Sequence, residues 1–259
     1  MRARKRLGQN FLVDAGVRDR IVSESGVNEH DEVLEIGAGV GTLSVGLARA
    51  CRRLLAVELD PRLVPLLRRV TGGFGNVSVI EEDILKTDVR ALFPAGGQLV
   101  VGNIPYYLTG ALLPKLLDTA PRPRRLALVV QKEVAERWTA SGSWSLATVA
   151  VHVYSQPELA FTIPRSAFTP APRVDSALVT LAVRDRPAVS AGDAPDFFRL
   201  VGKVFQFRRK QLRVSLARVA GLATDAAAAR LSAAGIDPAR RPETLTVAEW
   251  LAVHRGFRD

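Results

Sequence analysis

The sequence predicts an α/β fold, a mainly parallel sheet flanked by helices, followed by a small C-terminal all-helical domain. Three observations predict it. Between Val33 and Gln131 short apolar runs alternate with helical patterns. After Thr139 the alternation gives way to apolar runs without helices between them. Beyond Pro195 the apolar spacing is helical to the end of the chain.

Taken in order, the parallel strands are expected at Val33–Ile36, Leu54–Glu58, Val77–Ile80, Leu99–Gly102 and Leu126–Val130. Helices are expected at Thr42–Ala50, Arg62–Val70, Leu108–Asp118 and Lys132–Thr139. Leu146–Tyr154, Leu159–Ile163 and Ser176–Val183 read as strands, an antiparallel addition to the sheet. Arg184–Pro195 holds Pro187, Gly192 and Pro195 among polar residues and reads as a linker. In the tail, Val201, Phe205, Leu212 and Leu216 share one helical face. Thr224–Ala234 is an alanine-rich helix stopped by Gly235 and Pro238. Thr246 and Glu249 form a capping box that opens a last helix carrying Trp250 and Leu251. The domains are therefore expected at 1–184 and 185–259.

Composition narrows the classes. Apolar residues make up 47% of 259, enough to bury a real core. The 36 Lys and Arg against 26 Asp and Glu favour a polyanionic partner, without saying which. Cys51 is the sole cysteine, so a disulfide framework and a cysteine zinc cluster are both excluded. His30, His152 and His254 show no ligand spacing, and no metal is expected. The basic start is interrupted by Gln9, Asn10 and Asp14, unlike a signal peptide, and no apolar run nears the ~20 residues of a membrane span. A cytoplasmic monomer is the expectation.

The run from Leu34 to Thr42, with Gly37, Gly39 and Gly41, leaves the first strand and enters the first helix. Its glycines let backbone approach a ligand closely. Dinucleotide sites use such a loop with a third glycine where Thr42 stands; S-adenosylmethionine sites use the form present here. Glu58 ends the second strand, where a carboxylate can accept from both ribose hydroxyls of either cofactor. After the third strand, Asp83 can accept from an adenine amine while Ile84 packs on its ring.

The fourth strand leads to Asn103-Ile-Pro105-Tyr106, which resembles the motif of amino-methyltransferases acting on adenine. The adenine amine is a weak nucleophile because its lone pair is delocalised into the ring. The Asn103 side-chain oxygen and the carbonyl of Ile104 or Pro105 could accept its two protons and free that lone pair. Tyr106 would stack on a splayed-out base. Such chemistry rests on positioning and aimed dipoles. A cysteine at the Tyr106 position would have suggested cytosine methylation instead.

With these motifs in register, the chain resembles the ribosomal RNA adenine dimethyltransferase family almost end to end. The match includes Leu7-Gly-Gln-Asn10-Phe-Leu12, Glu35-Ile-Gly-Ala-Gly39, Val57-Glu-Leu-Asp60, Glu82-Asp83-Ile84 and Asn103-Ile-Pro-Tyr106. It continues through Gln131–Arg137, Phe168–Ser176, Phe207-Arg-Arg-Lys210 and Arg241–Leu245. The resemblance implies a Rossmann-like class I methyltransferase sheet over 1–184 and an RNA-binding helical domain over 185–259. It implies that Asn10, Leu12, Gly37, Gly39, Glu58, Asp83, Ile84 and Asn103 hold S-adenosyl-L-methionine. Pro105 and Tyr106 would join Asn103 around the amine, with Phe168 as a second aromatic; a core phenylalanine is the competing reading. Arg208, Arg209, Lys210 and Arg213 would contact ribosomal RNA, or else form a solvated helix face.

Of the family's two branches, Phe168–Ser176 and the helical tail resemble the one that dimethylates two adjacent adenines of small-subunit 16S rRNA. Tyr107 and Val214 stand where that branch often carries asparagine. The alternatives are the branch that methylates one adenine of large-subunit 23S rRNA, giving macrolide-type resistance, and a non-catalytic RNA-binding or transcription-factor relative. An NAD-dependent oxidoreductase would leave Asn103–Tyr106 unexplained.

Overall fold

The computed structural model describes residues 9–104, 109–117, 120–140, 142 and 144–258. They form two compact units, one of residues 1–136 with 156–184 and the other of residues 137–155 with 185–259.

The first unit is built on a seven-stranded sheet. Its N-terminal elements are β1 (Phe11–Leu12), α1 (Ala15–Ser25), β2 (Glu32–Ile36), α2 (Thr42–Ala50), β3 (Arg53–Glu58) and α3 (Val64–Thr71). There follow β4 (Val77–Glu81), α4 (Val89–Leu92), β5 (Leu99–Asn103), α5 (Thr109–Leu117), β6 (Arg125–Gln131) and α6 (Lys132–Thr139). The spatial order is β4-β3-β2-β5-β6, all parallel, continued by two later strands. β2, β3, β5 and β6 are buried along nearly their whole length, as strands covered on both faces must be. β4, at the edge, is partly exposed. The later strands are β7 (Ser155–Ile163) and β9 (Ser176–Val183), with the short β8 (Phe168–Thr169) between them in sequence. β9 runs antiparallel to β6, the addition expected from the sequence. β8 pairs outside the main sheet with β1.

Three corrections fall in the second unit. Leu146–Tyr154, expected as a strand, is the helix α7. A short run rich in Val suits either state, and here Ser145 decides by accepting the Thr148 N–H at 3.2 Å as an N-cap. The unit continues with α8 (Ala194–Phe205), α9 (Leu212–Ala220), α10 (Thr224–Ala233) and α11 (Val247–Gly256). Val201 and Leu212 therefore lie on separate helices, and residues 206–211 form the turn between them. Pro195 stands in the first turn of α8, where its missing N–H costs nothing, rather than in the linker.

α9 has no side-chain cap. Its first N–H groups are met by the carbonyls of Arg240, 2.7 Å from Leu212 N, and Pro238, 3.1 Å from Arg213 N. Arg240 in turn grips the Glu249 carboxylate and donates to the Thr244 carbonyl at 2.6 Å, while Thr246 and Glu249 close the expected capping box. Among the described residues no helix is long and apolar enough to cross a membrane.

Glu35 sits in the middle of this buried sheet at 1% exposure, and its Oε2 has no partner among the described residues. Burial pushes its carboxyl up from 4.5 to about 8, with the nearby Glu58 charge adding to the rise and Ser44 opposing it. Between those two values the unfolded chain gives up this proton while the native protein keeps it, so stability falls as pH rises. Glu35→Gln should remove that loss. In urea unfolding, the stability gained over wild type should widen from about pH 5 to pH 8 and then level. A difference that stays constant with pH would mean that the native carboxyl ionises normally.

Candidate active site

The cleft opens where the sheet order reverses, between β2 and β5 at their C-terminal ends, the place where open α/β sheets hold ligands. Register sets its geometry. Ile36 is level with Val57 on β3 and with Gly102 on β5. The next residues on the three strands, Gly37, Glu58 and Asn103, therefore leave the sheet side by side.

At Gly37 the chain enters the left-handed region, with φ of 70°, and Gly39 and Gly41 follow at 59° and 88°. Gly39 is also pinned from outside, since a Cβ there would lie 3.3 Å from the Phe11 ring. The Gly39 N–H donates to Glu58 Oε2 at 2.7 Å, and the Asp60 N–H donates to Glu58 Oε1 at 2.7 Å. Burial pushes the Glu58 carboxyl above its ordinary value, and these N–H donors oppose the rise.

Asp60 is fully buried and takes two bonds from the Arg62 guanidinium, at 2.9 and 2.6 Å. That guanidinium holds its carboxyl well below the usual range. Gln9 Nε2 also donates to Asp60 Oδ2, at 3.0 Å, and ties down the start of the N-terminal segment. The segment then pairs as β1 with β8, Leu12 opposite Phe168. Between these anchors the Asn10 carbonyl accepts from Asn103 Nδ2 at 2.8 Å. A carbonyl can only accept, so the Asn103 amide is oriented with its oxygen on the other side. Among the described residues Oδ1 has no partner.

Asn10, Leu12, Gly37, Gly39, Glu58, Asp83, Ile84 and Asn103 thus line one cleft. Asp83 Oδ1 accepts the Leu85 N–H at 3.0 Å, leaving Oδ2 as an acceptor beside buried Ile84. Each Glu58 oxygen keeps a lone pair for a hydroxyl, and Glu35 brings an unpartnered carboxyl oxygen to the same walls. These donors and acceptors suit a ligand with a diol, an aromatic amine and positive charge.

Pro105, Tyr106 and Tyr107 lie outside the described residues. Phe168 is absent from the described cleft walls; it is 3% exposed and packs in the core with Leu12 and Ile163. Arg208, Arg209 and Lys210 are exposed on the turn between α8 and α9, and Arg213 is exposed in the first turn of α9. They belong to the second unit, where a turn rather than a helix carries the first three. Sequence reasoning gave no role to Gln9, Glu35, Asp60 or Arg62. The Asp-x-Arg spacing after Glu58 was the available signal for the last two.

Residues 1–257 match the family described as ribosomal RNA adenine dimethylase. The ribosomal RNA small subunit methyltransferase A of Pelotomaculum thermopropionicum is 41% identical, over 99% of this chain and 92% of its own. The protein of the same name from Bacillus licheniformis is 37% identical, over 99% and 91%. Among solved structures, the 23S rRNA methyltransferase ErmE superposes with a TM-score of 0.76 at 28% identity, covering 96% of this chain and 99% of its own. A dimethyladenosine transferase from Plasmodium falciparum gives 0.78 at 24% identity, over 94% and 95%, and supports the fold. The chain belongs to the ribosomal RNA adenine dimethylase family.

Proposed function

We propose that this protein is an S-adenosyl-L-methionine-dependent methyltransferase that dimethylates the 6-amino groups of two adjacent adenines in small-subunit 16S rRNA. The observation that carries the reading is the Asn103 amide, held through its nitrogen by the Asn10 carbonyl at the rim of the acidic cleft. The small-subunit branch is favoured by relatives of that name at 41% and 37% identity, against 28% for the 23S enzyme.

Glu58 would accept the ribose hydroxyls, Asp83 the adenine amine with Ile84 against the ring, and Asn10, Leu12, Gly37 and Gly39 would close around the rest. The bound cofactor supplies an electrophilic sulfonium methyl. Asn103 Oδ1 would accept a hydrogen bond from the target amine, favouring a pyramidal nitrogen with its lone pair free to attack, and the proton then lost from nitrogen would pass to water. Pro105 and Tyr106 would complete the base site, and Phe168, in the β1–β8 pair opposite Leu12, would hold the N-terminal segment in place. The reaction asks for position and aimed dipoles rather than a covalent enzyme intermediate. The helical unit, through Arg208, Arg209, Lys210 and Arg213, would grip the ribosomal RNA around the target.

Three measurements test this. Asn103→Ala should lower single-turnover methyl transfer by at least ~100-fold with the fold intact, through loss of an aimed acceptor; near-wild-type rates would remove Asn103 from the chemistry. Neutralising Arg208, Arg209 and Lys210 together should flatten the dependence of RNA affinity on salt, whereas an unchanged slope would assign the run to solubility. Offered small and large ribosomal particles unmodified at both sites, with labelled cofactor, the protein should label small-subunit RNA. Label chiefly in large-subunit RNA would transfer it to the other branch.

A further inference from the structure

A second groove, of about 450 Å³, lies within the sheet-bearing unit and apart from the cleft. One wall is the start of α6, with Lys132, Glu133 and Glu136; the other carries Arg165, Arg173 and Val174; Asp175 lies between. We propose that this groove binds the phosphates of the RNA strand flanking the target adenine, with Arg165 and Arg173 as its two arms. The proposal rests on the RNA methyltransferase reading and adds a subsite to it.

Asp175 organises the groove through the backbone. Its Oδ1 accepts the Arg165 N–H at 2.9 Å, and its carbonyl accepts the Lys132 N–H at 3.0 Å. Arg173 stands two residues earlier on the same segment. Arg165 and Lys132 are thus held through their backbone, without using their charged ends. Lys132 lies 3.8 Å from Glu136, so its charge is largely answered on its own helix. Among the described residues neither the Arg165 nor the Arg173 guanidinium has an acidic partner, although both are exposed and line one groove. Two guanidinium forks without an acidic partner lining one groove suit phosphate oxygens. The acidic side chains of α6 repel the same anion, which keeps a strand on the arginine side. Val174, 45% exposed, offers apolar surface there to a ribose or base.

Location supports the assignment. Asn103 pairs with Val129 on β6, and Gln131 at the end of that strand pairs with Ser176. At roughly 3.3 Å per residue and 4.8 Å between strands, Lys132 and Asp175 stand on the order of 10 Å beyond Asn103 on the same edge of the sheet. A base splayed into the active site leaves its neighbours at about that distance.

The test is the doubly substituted Arg165→Ala/Arg173→Ala protein, assayed with small-subunit particles lacking the methyl groups. The KM for particles should rise about tenfold with kcat within twofold, and the slope of log affinity against log salt should shrink by about 1.4, two single-strand phosphate contacts. Arg165→Lys/Arg173→Lys should restore most of that slope, because a point charge still displaces counterions. Unchanged KM and slope would overturn the proposal, as would a loss that the lysine variant does not restore. Wild-type protein that methylates no adenine would sink the methyltransferase reading instead, while the salt slopes of RNA binding would still judge the groove.

Discussion

The site depends on one buried carboxylate. Glu58 is 6% exposed, and a charge so placed is tolerable only if donors meet it. Those donors are backbone N–H groups from the glycine loop and from the residue after next, so one side chain fixes the path of both segments. The constraint then propagates. Asp60, positioned by its bond to Glu58, holds Gln9; the segment after Gln9 lays Phe11 against Gly39 and offers the Asn10 carbonyl to Asn103. Three strand ends and the N-terminal segment are joined in a ring around the cleft by these bonds.

Much of this was legible in the sequence because parallel strands buried on both faces leave an unmistakable pattern. α2 and α6 fall on the residues expected, and β2, β3, β4, β5 and β6 differ from expectation only at their ends. Six of the eight proposed cofactor residues end or follow a strand or lie in the glycine turn, where position in sequence fixes position in space, while Asn10 and Leu12 are placed by the β1–β8 pair and the bond to Asn103. What was hidden depends on tertiary context. α7 reads as a strand because Val is at home in both states, and a single Ser cap outweighs propensity. α1 went unread because its apolar residues are sparse, although Asp14 caps it by accepting the Val17 N–H at 2.9 Å. Phe168 could not be divided between base pocket and core by pattern alone, since both want an aromatic at the end of a turn.

The two-unit division follows from α6 and α7. The end of α6 and the whole of α7 belong to the helical unit, and Trp138, Val149 and Val153 are fully or nearly fully buried. The Trp144 ring stacks on His152 at 4.3 Å, and the Trp138 carbonyl bonds His152 Nε2 at 2.8 Å, so residues 137–155 form an ordered part of the helical unit. A chain passage inserted between β6 and β7 adds two covalent links to the one at residues 184–185. On the proposed function, target choice belongs to such a module, because a pocket for one base cannot distinguish one adenine of a ribosome from another.

Charge is sorted by depth. The protein carries a formal net charge of +10, yet the cleft is lined by the acidic Glu58, Glu82 and Asp83, beside the Glu35 carboxyl that burial keeps protonated near neutral pH. A cationic ligand and a polyanionic one would otherwise compete for the same surface. Placing carboxylates inside the cleft and arginines outside separates them, since field lines in a low-dielectric cleft stay local while surface charge acts over about a Debye length. On the proposed function this sorting also gives the cycle a direction. The acidic lining matches a sulfonium before methyl transfer, and the thioether left afterwards is neutral at that atom. The attraction weakens at the moment the product must leave, and the basic surface that holds the RNA for a second transfer is unaffected.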